Sequence, residues 1–74
     1  MSTELIEKYT KTDSVNPYIE ICPTVWIIFA EDGVYLTQSS ETGRTQKHIG
    51  SKGEFSDERL EAVYFGVTGN KLNQ

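Results

Sequence analysis

The chain is poor in the residues that staple or metallate a small protein. Its 74 residues include one cysteine, Cys22, and one histidine, His48. A lone thiol excludes an internal disulfide, and one cysteine with one histidine cannot assemble a common zinc ligand set from these two residue types. Stability must then come from a small apolar core, which at this length supplies roughly 3–5 kcal/mol. Long apolar runs are also missing. Nothing approaches the roughly 20 consecutive apolar residues that cross a bilayer as a helix. Met1-Ser2-Thr3-Glu4 lacks the positive region and apolar stretch of a secretion signal, so a soluble, cytoplasmic protein is expected. Length points to one domain spanning residues 1–74, with 70–74 expected as a frayed tail.

Positive charge is scarce and unevenly placed. The net charge is −4. Residues 1–41 carry seven acids and two lysines, whereas residues 42–53 carry Arg44, Lys47 and Lys52 and no acid. Residues 54–74 are acidic again, with four acids against Arg59 and Lys71. An acidic balance favours solubility and opposes nonspecific binding to nucleic acid.

What is present begins with Val25-Trp26-Ile27-Ile28-Phe29-Ala30, which runs directly into Glu31-Asp32-Gly33 and then Val34-Tyr35-Leu36. A strand that is apolar at every position has no wet face, so something must cover each side. The expected coverings of the second side are an N-terminal helix, through Leu5, Ile6 and Tyr9, or a second copy of the chain in a homodimer. Asp32-Gly33 is expected to form the tight turn between strands at 25–31 and 34–39.

Residues 3–11 are expected to form a short helix capped by Ser2 or Thr3, with Glu4/Lys8 and Glu7/Lys11 four apart. Asn16-Pro17 ends that segment. Tyr18–Cys22 alternates in polarity before Pro23, which suits a short strand or an extended arm at a sheet edge. A turn at Ser40-Glu41-Thr42-Gly43 leads to a polar strand at 44–49. Phe55 and Leu60 frame a second helix start as a hydrophobic staple. Ser56 is the expected cap, at a cost on the order of 1 kcal/mol if replaced by alanine. Leu60, Val63, Tyr64 and Val67 follow helical spacing, and Gly66 or Gly69 is the stop. The fold class is therefore α+β: a three-stranded antiparallel sheet, with Tyr18–Cys22 as a candidate fourth edge strand, and a helix at each end.

Candidate chemistry is thin. Gly66-Val67-Thr68-Gly69-Asn70-Lys71 has the wrong spacing for a phosphate loop and closes a helix instead of opening one. Gly50-Ser51-Lys52-Gly53 precedes a helix start already occupied by Asp57 and Glu58. No acid lies between Glu41 and Glu54 to orient His48, and no sequence neighbour of Cys22 lowers its thiol pKa. No catalytic, cofactor or metal residues are assigned, and no enzymatic activity is expected.

The more expressive feature is a surface. Arg44, Gln46 and His48 alternate with Thr45, Lys47 and Ile49 along the polar strand. The element order over residues 24–67, with its Thr42-Gly43-Arg44 turn, resembles the arm-site DNA-binding domains of tyrosine recombinases and the AP2 domains of plants. Such a resemblance implies a sheet inserted in the major groove. The helix–three-strand–helix order is also that of double-stranded RNA-binding domains. Those domains are basic, whereas this chain is acidic and opens its second helix with Asp57 and Glu58.

The expected function is a small noncatalytic inhibitor, adaptor or regulator, of the kind a phage or mobile element encodes, acting by protein–protein contact. A sequence-specific nucleic-acid module using the 35–49 hairpin is the alternative. The candidate binding surface is Arg44, Gln46, Lys47, His48, Lys52, Trp26 and Tyr35.

Overall fold

A computed structural model describes residues 3–72. In chain order it contains α1 (Glu4–Tyr9), β1 (Tyr18–Cys22), β2 (Val25–Ala30), β3 (Gly33–Ser40), β4 (Gly43–Gly50) and α2 (Asp57–Thr68). The strands form one antiparallel meander in the order β1-β2-β3-β4. The candidate edge strand is real, and the sheet has four strands. Proline explains its place: Pro17 and Pro23 flank β1, which lies at the sheet edge as a donor-poor segment should.

The pleat divides β2 into two sides. Val25, Ile27 and Phe29 are buried, while Trp26, Ile28 and Ala30 are half-buried on the opposite side. The first set joins Ile19, Ile21, Val34, Phe55 and Leu60 in the core, with Phe29 and Phe55 in an edge-to-face contact at 5.7 Å. Both helices pack on this one side. Leu5, Ile6 and Tyr9 of α1 lie against the same core as Val63, Tyr64 and Val67 of α2. The expected covering of the second face by α1 is thus corrected. A six-residue helix can bury only one narrow stripe, and this one shares the core side with α2.

The reason lies at the helix starts. Asp57, in the first turn of α2, accepts hydrogen bonds from the backbone N–H groups of Leu5 and Ile6, each at 3.1 Å. One carboxylate thereby satisfies two orphan donors of α1 and fastens the helices together. Ser56 occupies the N-cap position of α2, but its hydroxyl makes no cap hydrogen bond, nor does that of Thr3 at α1. The expectation for Ser2 lies outside the described residues. Lys11 falls beyond α1, so Glu7 and Lys11 do not form a helical i,i+4 pair.

The first turn lies one residue earlier than expected, and the second falls where expected. Ala30 pairs with Gly33, so the two-residue turn is Glu31-Asp32 and Gly33 opens β3. Gly33 has φ +151°, and a Cβ there would run into the His48 ring and stand 3.1 Å from the Gly50 carbonyl oxygen. The second turn is Glu41-Thr42, closed by Ser40 opposite Gly43. Gly69, at φ +75°, stops α2 and donates to the Phe65 carbonyl at 2.8 Å. Beyond it, Asn70 N–H donates to Thr68 Oγ1 and Leu72 packs against the core, so the described part of the tail is folded back.

Candidate functional site

With both helices on one side, the other side of the sheet is left to side chains and one loop. The register places Tyr18, Ile28, Tyr35 and His48 in one row across the four strands. The next row is Glu20, Trp26, Thr37 and Gln46, and Arg44 lies beyond, opposite Ser39. Paired residues share a face. This open face therefore gathers Trp26, Tyr35, Arg44, Gln46 and His48. Lys47 pairs with Leu36 on the helix side, and Lys52 lies in the exposed loop after β4. Hence the sheet brings five of the seven candidate surface residues together and separates the two lysines from them. Tyr18, Ile28 and Thr37 are further members of the face. Alternation along 18–22 signalled Tyr18, but the register of β3 was needed to find Thr37.

The rows carry their own contacts. Tyr35 and His48 meet edge to face at 5.2 Å, and the Tyr35 hydroxyl donates to Asp32 at 2.9 Å. That hydrogen bond holds the Tyr35 phenol above its ordinary 10.0, because ionisation would place two negative oxygens together. The turn thus supplies an acid next to Tyr35, which in turn orients His48, although no acid is near His48 in sequence.

A loop climbs over the edge of this face. Lys11 and Tyr18 exchange backbone hydrogen bonds at 2.7 and 3.0 Å, so the chain doubles back beside β1. The Tyr18 hydroxyl donates to Asp13 at 2.8 Å, which raises the phenol above 10.0 and ties the loop down. Between loop and sheet lies a cleft of about 350 Å³, lined by Asp13, Ser14, Val15 and Asn16 from the loop. Tyr18, Trp26, Ile28, Thr37 and Arg44 form its sheet side. This segment, and not α1, overlies part of the second face of β2. Thr37 is 1% exposed, and its Oγ1 has no hydrogen-bond partner. Burying a hydroxyl unpaired is costly, about 1–3 kcal/mol.

Cys22 stands apart from this site. It is half-buried, with Sγ 3.6 Å from Thr24 Oγ1. Hydrogen bonding from the Thr24 backbone, and next from its hydroxyl, pulls the thiol below its ordinary 9.0. The expectation that nothing local lowers it is corrected: the residue two positions on does so through the bend at Pro23-Thr24.

Among the described residues, no group of three or more His, Cys, Asp or Glu is placed to hold a metal ion. No helix there is long and apolar enough to cross a membrane. The chain matches no protein-family model, no curated protein and no solved structure.

Proposed function

We propose that this protein is a noncatalytic interaction module that binds a protein partner through the open face of its sheet, as an inhibitor, adaptor or regulator. One observation carries this reading. Trp26, Ile28 and Tyr35 are half-buried on the two central strands, with half-buried Tyr18 beside them on β1, and Asp13, Glu20, Arg44, Gln46 and His48 lie around them. An apolar, aromatic centre inside a polar rim is the anatomy of a protein interface. Tryptophan, tyrosine and arginine are also the residues that most often dominate binding energy there. The face is rigid where it matters, because its aromatics stand on strands whose other side is the core.

The test compares tagged wild-type protein with Trp26→Ala and Lys47→Ala, using nuclease-treated lysate of the source cells. Lys47→Ala alters an exposed residue on the helix side and serves as the control. A specific protein should be retained by wild type and Lys47→Ala and lost by Trp26→Ala, with folding of each variant checked by circular dichroism. For a central anchor the Kd should rise about 30-fold, the equivalent of roughly 2 kcal/mol. The same proteins retained by all three forms would refute the assignment of this face.

The nucleic-acid alternative draws on Arg44, Gln46 and His48 sharing a face with two aromatics, the ingredients of a stacking platform. Asp13 and Glu20 border that platform and oppose phosphate. A mobility shift at physiological salt with one defined sequence, poorly competed by random duplex, would favour it.

A further inference from the structure

We propose that the cleft between the 13–16 loop and the open face binds a small organic anion with a flat apolar body, of the aromatic carboxylate class. Three independent observations converge there. The first is shape: about 350 Å³ lies within the range of small-ligand sites and is suited to a one- or two-ring molecule. The second is the wall, where Trp26, Tyr18 and Ile28 offer aromatic and aliphatic surface to a flat ring.

The third is polar. Thr37 is among the lining residues, and its hydroxyl is buried and unpartnered, so a ligand atom that reached it would supply the bond it lacks. Arg44, on the same lining, is exposed, and its guanidinium makes no hydrogen bond or ion pair among the described residues. Its guanidinium presents a planar fork that matches a carboxylate.

The charge count sets the class. One cation and one acid, Asp13, line the cleft, and Asp13 is already held by the Tyr18 hydroxyl. A monoanion is favoured over a phosphate ester, whose second charge would meet Asp13 without a second cation to offset it. A neutral ring compound would leave Arg44 unpaired. This ligand site goes beyond the protein-contact reading and does not depend on it.

Trp26 is the only tryptophan, so its indole N–H reports on the cleft by itself. The experiment titrates ¹⁵N-labelled protein with 2-naphthoate, 2-naphthamide and 2-naphthyl phosphate, following that resonance. Saturable binding of 2-naphthoate is expected with Kd below about 1 mM, and about tenfold weaker binding of the amide and the phosphate. Arg44→Gln should bring carboxylate and amide to similar affinity. Thr37→Val should weaken 2-naphthoate about fivefold while raising the melting temperature of the free protein, since it removes the unpaired hydroxyl.

A rise in melting temperature with unchanged affinity would show that the hydroxyl does not serve a ligand, and would overturn the proposal. So would equal binding of carboxylate and amide by the wild type, or no saturable shift at all. If no probe binds but Trp26→Ala still loses a protein partner, the cleft proposal fails and the interface stands.

Discussion

Gly33 carries two constraints that a side chain would violate together. Its φ of +151° is a conformation L side chains resist, and the His48 ring occupies the space of a Cβ. Gly43 has φ +135° but nothing within 4 Å of the same position. Comparison of the two separates backbone strain from collision. Gly43→Ala should cost about 1 kcal/mol from strain, and Gly33→Ala about 3 kcal/mol, as read from denaturant midpoints. Equal costs would show that His48 moves aside freely. The loss at Gly33 should also shift the His48 ring resonances, because that ring must leave Tyr35 to make room.

Tyr35 gives a residue-scale prediction in pH. Its hydroxyl donates to Asp32, and the folded pKa is raised above 10.0. For a group raised on folding, the contribution to stability is complete below the unfolded value and is lost as pH climbs through the folded one. Melting temperature should therefore fall more steeply above pH 10 in the wild type than in Asp32→Asn. Ultraviolet titration should show the Tyr35 midpoint moving down in that variant.

At the scale of elements, the two helices are terminated by different physics. The stop of α2 is local: Gly69 enters the left-handed region and returns its N–H to Phe65. The start of α1 is tertiary, since its first-turn donors are satisfied by Asp57, fifty-two residues from Leu5. Asp57→Ala should cost about 2 kcal/mol and fray α1, whereas Ser56→Ala should cost no more than a few tenths, because the serine hydroxyl makes no cap bond. Thermal melts of both variants, with amide exchange over residues 4–10, measure this difference. A Ser56→Ala cost equal to that of Asp57→Ala would contradict the cap geometry.

The whole molecule has little stability to spare. Its radius of gyration is 11.7 Å, near the roughly 11 Å expected for a compact chain of this size. Half-burial of Leu5, Ile6 and Tyr9 on the core contributes about 1 kcal/mol each. These contacts and the Asp57 cap also keep α1 over a core whose net stability is only roughly 3–5 kcal/mol, so its removal exposes apolar surface the domain cannot spare. Deletion of residues 3–12 should leave the chain largely unfolded at 25 °C, as circular dichroism will show. A truncated chain with native ellipticity would place the stability elsewhere. The open face is also where a second copy would sit. Sedimentation over micromolar concentrations distinguishes a dimer that Trp26→Ala dissolves from a monomer whose face serves a foreign partner.

Much of this architecture is legible in local chemistry. The order of elements, the edge place of β1 beside two prolines, the β2–β3 hairpin to within one residue and the start of α2 all follow from signals within a few residues. Such signals work because turns, caps and pleat alternation are set by neighbours along the chain. The alternation of Arg44, Gln46 and His48 was readable for the same reason. What the sequence left open was the second side of β2, since an all-apolar strand carries no mark of which neighbour covers which face. Only the tertiary structure joined Thr37 to Trp26 by register, set Arg44 and the loop at Asp13 around one cleft, and bonded Asp57 to α1, because those pairings are chosen by packing across long separations. The fold class was thus written in short-range patterns, and the candidate site was decided by the sheet that brought distant residues onto one face.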